Sequence, residues 1–322
     1  AQEFYTNRTV VTLMAEILQP QPGESIYDPT CGSGGMLVKC LDYIRNKGEQ
    51  WQGVQVFGQE LNGLTSSIAR MNLYLNGVED FSIVCADTLT TPAFLDGSHL
   101  RKFDIVLANP PYSIKTWNQT AFANDKWGRN YLGTPPQGCA DYAFIQHIFC
   151  SMDDDHGRCA ILLPHGILGR IDEQSIRENL VASDIIECVI GIGKNLFFNS
   201  PMEACVLICR KNKPLEKRHK VQFINAKHLV TRKNSESYLE PEHIKEIVDA
   251  YNRYDNIEGL SAVVDQKVLE DNNCMLKMGL YVRRATGADY LDFNAEYQEW
   301  KAKLDVIHES NNNLFNLLGI DK

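Results

Sequence analysis

Long apolar runs are missing from this chain. The longest, residues 160–163 and 204–209, are strand-sized, so no membrane-spanning helix is expected. No signal-peptide pattern opens the sequence. The first residue is Ala1 and a motif begins almost at once, so the chain is expected to be a fragment without its natural N-terminal part. Positive charge is also short: 32 Lys and Arg against 41 Asp and Glu give a net charge of −9. A stand-alone DNA binder normally presents a basic surface, because neutralising phosphates supplies much of its affinity. Any work on DNA would therefore draw part of its grip from another segment or subunit. The ten cysteines form no Cys-x-x-Cys pair, which argues against a zinc ribbon and a disulfide framework. Cys159, Cys188, Cys205 and Cys209 lie in apolar runs and read as buried free thiols of a reducing compartment, the cytoplasm. His147, His156 and His165 lack metal-ligand spacing, so they are expected to be structural or surface residues and no metal is expected. No Gly-Lys-Ser/Thr follows a glycine-rich turn, which excludes a phosphate loop; residues 191–194 are too short for one and should end a strand.

What is present is alternation. Strands are expected at residues 25–29, 54–60, 81–87, 103–109, 158–163, 185–192 and 203–210. Helices are expected at 36–47, 64–76, 142–152 and 173–181. Strands alternating with helices imply a mainly parallel sheet covered on both faces, with ligands bound beyond the strands' carboxyl ends. After about residue 212 the pattern changes. A charged connector leads to a helix at 240–254, with Ile244, Ile247, Val248 and Tyr251 on one face. Residues 290–318 carry a second apolar stripe, Tyr297, Trp300, Leu304, Ile307, Leu314 and Leu318, suited either to packing back on the domain or to docking on a partner.

The motifs fall at the expected strand ends. Asp28-Pro29-Thr30-Cys31-Gly32-Ser33-Gly34-Gly35 joins a strand to a helix, and its small residues let the backbone approach a ligand closely. Glu60, ending the next strand, could accept hydrogen bonds from both hydroxyls of a ribose. Asp87, closing the third strand, could accept from the exocyclic amine of an adenine ring. Asn109-Pro110-Pro111-Tyr112, after an apolar strand, is the most specific signal. An amine on an aromatic ring is a poor nucleophile because its lone pair is delocalised. The Asn109 side-chain oxygen and the Pro110 carbonyl could hold both N–H groups and direct the lone pair at a methyl donor. Pro110 and Pro111 would stiffen those acceptors, and Tyr112 would stack on the planar substrate. Direct transfer from an activated donor needs neither a metal nor a covalent intermediate.

This set resembles the N6-adenine DNA methyltransferases, and in detail the modification (M) subunits of type I restriction–modification systems. Glu3-Phe4-Tyr5-Thr6-Asn7-Arg8 is similar to a family motif that precedes the glycine turn and contacts the methionine part of the cofactor, with Asn7 where the family usually has proline. Residues 28–35, 59–62, 72–75, 109–112, 141–144, 163–168 and 176–180 match as well, and 281–283 more weakly. The resemblance implies a Rossmann-like S-adenosylmethionine-dependent methyltransferase fold of class α/β, with a mostly parallel seven-stranded sheet and a helical C-terminal extension. Residues 1–225 would form the catalytic domain. Residues 226–322 would form the mainly helical extension, docking a specificity subunit; the family's N-terminal helical domain is absent here. S-adenosyl-L-methionine would be held by Glu3 to Arg8, Asp28, Thr30, Cys31, Gly32, Ser33, Gly34, Glu60 and Asp87. The implied partners are double-stranded DNA, a specificity (S) subunit serving two M subunits, and a restriction (R) subunit.

Other readings of the same chemistry are a protein glutamine or RNA guanine methyltransferase, cytosine N4 methylation, or a catalytically dead scaffold. The segment before the glycine turn and the long tail argue against the first. The long connection 113–140 interleaves Lys115, Trp117, Lys126, Trp127, Arg129 and Tyr131, as a segment holding a nucleic-acid strand would.

Overall fold

The computed structural model describes residues 7–194, 196, 203–233 and 236–282. In chain order the elements begin with α1 (Arg8–Leu18), β1 (Ser25–Asp28), α2 (Gly35–Asn46), β2 (Gln55–Glu60), α3 (Gly63–Leu75) and β3 (Phe81–Cys85). A short hairpin, β4 (Leu95–Asp96) and β5 (His99–Leu100), precedes β6 (Ile105–Ala108), α4 (Gln119–Ala123), α5 (Asp141–Ser151) and β7 (Arg158–Pro164). Then come α6 (Gln174–Ala182), β8 (Ile186–Ile192), β9 (Ala204–Arg210) and β10 (Lys220–Ala226). A second hairpin, β11 (Thr231–Lys233) and β12 (Glu236–Tyr238), leads to α7 (Pro241–Arg253), β13 (Ser261–Asp265) and α8 (Gln266–Asp271).

Nine strands form one sheet in the order β3-β2-β1-β6-β7-β9-β8-β10-β13. β1 pairs in parallel with β2 and β6, β2 with β3, and β6 with β7. β9 runs antiparallel between β7 and β8. Each buried strand supplies both faces because successive side chains point opposite ways. Ile105 and Leu107 of β6 enter the core beneath α1, α2, α3 and α7, while Val106 and Ala108 enter the core beneath α5 and α6. This near-continuous apolarity is what a sheet covered on both sides requires.

Each strand and helix expected before residue 212 is present within a few residues, and so is the helix at 240–254, with Ile247 and Tyr251 buried. Two expectations change. The sheet has nine strands rather than seven, because β10 pairs in parallel with β8 and β13 closes the edge antiparallel to β10. The sheet therefore continues past residue 225: β13, with Ser261 and Val264 buried, pairs along β10, and the described residues belong to one compact unit. The charged connector is a turn between two strands of the same sheet. A helix unforeseen from sequence, α1, packs against α2 and α7. The apolar stripe at 297–318 lies outside the described residues. Among the described residues no helix is long and apolar enough to cross a membrane.

Candidate active site

Because β1, β2, β3 and β6 are parallel, their carboxyl ends meet at one edge, and the sequence motifs converge there. Asp28 ends β1 fully buried. Its Oδ1 accepts from the Thr30 amide at 2.9 Å, which starts the turn, and the Cys31 amide then donates to the Gln59 carbonyl at 2.9 Å. Gly32 and Gly34 adopt φ of 52° and 76°, the left-handed region that costs an L side chain roughly 1–2 kcal/mol. Gly34 caps α2. A side chain at Gly58 would come within 2.9 Å of the Cys31 sulfur, so β2 passes close under the turn only because residue 58 has no Cβ. The Cys31 side chain is buried there, burial pushes its thiol up, and its sulfur donates to the Gly32 carbonyl at 3.8 Å.

Glu60 ties the turn to the next crossover. One carboxylate oxygen accepts from the Gly32 amide at 3.0 Å and the other from the Asn62 amide at 2.8 Å. Asn62 in turn caps α3 through its side-chain oxygen. Each Glu60 oxygen keeps a further lone pair for a ligand hydroxyl. Asp87 lies just past β3 and accepts from the Leu89 amide at 2.9 Å. Two buried polar atoms face one another at this edge, Asp28 Oδ2 and Thr30 Oγ1, with no other partner among the described residues. Burial pushes the Asp28 carboxyl up to about 8; the Thr30 amide opposes the rise and the charge of Glu60 adds to it. Buried polar atoms are nearly always fully satisfied, so a pair whose remaining hydrogen-bonding capacity faces no other protein group beside a glycine turn fits a ligand that carries donors and positive charge. S-adenosylmethionine has both.

Asn109-Pro110-Pro111-Tyr112 leaves the fully buried strand β6, next to β1. Pro110 is buried, and the half-buried ring of Tyr112 rests on the core under α1 and α2. Burial, with Cys205 and Asp141 nearby, holds the Tyr112 hydroxyl protonated. The chain then turns sharply: Ser113 has φ of 50° and its amide donates to Asp141 Oδ1 at 2.7 Å. Asp141 lies in a stretch read from sequence only as a matching motif, and its role as a partner of the turn was not foreseen.

Of the six residues matching the segment before the glycine turn, Glu3, Phe4, Tyr5 and Thr6 lie outside the described residues; Asn7 and Arg8 are described. Asn7 has φ of −58°, the value a proline would impose. Its side chain does what proline could not. It caps α1 by accepting from the Thr9 amide at 3.0 Å and donates to the Ser237 carbonyl at 2.8 Å. The departure from the family residue thus keeps the turn and adds a cap and a tie to β12.

The connection 113–140 differs from the expectation of a strand-holding loop in one residue above all. Arg129 is buried, paired with Asp125 at 2.6 Å, and donates to the Thr88 and Leu89 carbonyls at 2.9 and 2.7 Å. It cannot reach a phosphate, because its charge is spent on Asp125 and on the backbone just after Asp87. Trp117 is half-buried, packed edge-on against Phe122 and bonded to the Gln137 carbonyl. Lys115, Lys126 and Tyr131 remain exposed. His147 is buried between Tyr27 and Arg129, a structural residue; burial first, then Arg129, holds its imidazole neutral.

The sheet order, the antiparallel β9, the glycine turn after β1 and the acid ending β2 define a Rossmann-like fold of the S-adenosylmethionine-dependent methyltransferase class. A family model described as N-6 DNA Methylase matches residues 1–289, and the chain belongs to that family. A relative from Methanocaldococcus jannaschii, the type I restriction enzyme MjaVII methylase subunit, is 33% identical over 93% of this chain and 52% of its own length. The type I restriction enzyme HindI methylase subunit of Haemophilus influenzae is 30% identical over 89% of this chain and 65% of its own. The solved structure of the type I restriction-modification system methyltransferase subunit from Streptococcus thermophilus matches with a TM-score of 0.81 and 34% identity, covering 88% of this chain and 60% of that one. The chain spans between about half and two-thirds of the length of these relatives.

Proposed function

We propose that this chain is the catalytic part of the modification subunit of a type I restriction–modification system, and that it methylates the N6 amino group of adenine in double-stranded DNA. The observation that carries the reading is the meeting of Asn109-Pro110-Pro111-Tyr112, at the end of β6, with the glycine turn and Glu60 on the neighbouring strands. Asp28, Thr30, Gly32, Ser33, Gly34, Glu60 and Asp87 line the cofactor side, Cys31 contributing through its backbone. S-adenosylmethionine supplies a methyl group already activated on a sulfonium sulfur. Asn109 Oδ1 and the Pro110 carbonyl accept from the two N–H groups of the target amine and localise its lone pair. The prolines hold those acceptors still, so that little reorganisation is needed as the methyl passes to nitrogen. The new bond is N–C, the broken one is S–C, and the amine then gives up one proton to solvent. Tyr112 provides the face on which an adenine extruded from the duplex rests.

The net charge of −9 supports delegated DNA recognition. In this reading a specificity subunit joins two modification subunits and chooses the site, a restriction subunit completes the system, and all act in the cytoplasm. The names of the relatives above support the same assignment.

The test uses the full-length protein with its co-expressed specificity chain, labelled S-adenosylmethionine and unmethylated DNA. N6-methyladenine should form, and Asn109→Ala should abolish it while cofactor affinity stays within about twofold, as loss of a contact made only with the target amine requires. Full activity in Asn109→Ala would overturn the assignment of the site.

A further inference from the structure

Behind the Asn109–Tyr112 turn lies a cluster with metal-like spacing: Cys139, Asp141 and Glu173, all buried, their ligand atoms within 4.8 Å of one another. The place a cation would take is filled by a guanidinium. Arg170 Nη1 lies 2.6 Å from Asp141 Oδ2, 2.7 Å from Cys139 Sγ and 3.3 Å from Glu173 Oε1. Arg170 is itself confined. Its carbonyl accepts from Arg177 at 2.8 Å, and its side chain passes so close to Gly166 that a Cβ there would lie 3.1 Å from Nε.

Two atoms of this cluster reach out to the residue directly after Tyr112. Asp141 Oδ1 accepts from the Ser113 amide at 2.7 Å, and Arg170 Nη2 donates to Ser113 Oγ at 3.1 Å. Ser113 needs such support, because its φ of 50° lies in the left-handed region that a serine avoids. An ion pair serving stability alone has no reason to spend one carboxylate oxygen and one guanidinium nitrogen on a strained serine. Asp141 opens α5, so a rigid helix carries the carboxylate, and β7 leads directly into the stretch that carries Arg170.

We infer that Asp141 and Arg170 are positioning residues for the target-amine site: together they lock the left-handed turn at Ser113 and thereby set where Asn109, Pro110 and Tyr112 stand. The inference rests on the reading of that motif given above. Neither residue touches substrate, and each acts through Ser113. A displacement of about 1 Å in such a site can cost on the order of a hundredfold in rate, so the effect should appear in turnover and not in cofactor binding.

The experiment measures single-turnover methylation and cofactor affinity in the full-length protein with its specificity chain, and follows base extrusion by fluorescence of 2-aminopurine at the target position. Asp141→Ala should slow transfer by roughly ten- to a hundredfold, weaken the 2-aminopurine signal and leave cofactor affinity within about twofold. Adding Ser113→Gly should restore a substantial part of the rate, because glycine takes the left-handed turn without being held there. A lesion in general stability would lower cofactor affinity too and would not be rescued by glycine. Should Asp141→Ala fail to fold, Arg170→Lys keeps the charge, loses the two-nitrogen fork, and should still slow transfer. Wild-type turnover in these variants, or no recovery with Ser113→Gly, overturns the inference. Asn109→Ala in the same assay separates the two levels: if it is inactive while Asp141→Ala is normal, only the positioning role fails; if it is active, the site reading itself fails.

Discussion

Replacing Arg129 by alanine should be among the most destabilising single changes available in this chain. The side chain is 1% exposed and its partner Asp125 is 2% exposed, so the substitution leaves a buried carboxylate without its cation. Breaking a buried pair from one side costs about 3–5 kcal/mol. The Thr88 and Leu89 carbonyls lose their donors as well, each adding on the order of 1 kcal/mol. A total of about 5–7 kcal/mol corresponds to a fall in Tm of roughly 8–12 °C for a unit of this size. Thermal unfolding followed by circular dichroism measures it directly. Thr88 and Leu89 follow Asp87, so cofactor affinity should fall with stability. A double variant, Asp125→Leu with Arg129→Met, removes both charges and should recover much of the loss, since apolar groups of similar size often replace a buried pair at little cost. The rival role, a phosphate contact, predicts something different: Tm unchanged within about 2 °C and a salt dependence of DNA binding shallower by about one ion. That result would refute the assignment of Arg129 to the interior.

Two further outcomes follow from the geometry. The carboxyl of Asp28 sits at about 8 in the folded protein against an ordinary value of 3.8. The folded state therefore favours the protonated form. Its contribution to stability is complete below pH 4 and is lost as pH rises through 8. Asp28→Asn should accordingly melt above the wild type by a margin that grows between pH 5 and pH 8 and then levels off. A margin independent of pH would reject the burial argument. Asn7→Ala removes the cap of α1 and should cost about 1 kcal/mol, about 2 °C in a melt, whereas Asn7→Pro should keep the backbone turn and with it cofactor affinity by titration calorimetry.

Apart from α1, α4 and the β4–β5 hairpin, the elements of the first 210 residues were legible because the strands are short apolar runs bounded by turns, and a sheet buried on both faces needs such runs. The last two strands were not. β10 follows β9 through a lysine-rich connector with no α-helix between them, and the β11–β12 hairpin intervenes before α7 and β13, so the regular strand–helix alternation is broken at both. At the site, Asp28, Glu60 and Asn109 could be placed from sequence because parallel strands deliver their last residues to one edge. Arg129 could not. An arginine among tryptophans and lysines looks like a nucleic-acid contact. Its true partners are Asp125, four residues earlier, and two carbonyls about forty residues away. Only the first of those relationships is local enough to read. Asp141 and Arg170 meet across 29 residues for the same reason.

The order of the strands has a consequence for how such a chain can change over time. Apart from the segment before α1, the proposed contacts to the methyl donor and the target amine issue from β1, β2, β3 and β6, four adjacent strands on one flank of the sheet. The other flank, from β9 to β13, brings none of them. Substitutions on that side can alter which neighbours the protein meets while leaving the proposed transfer site in place.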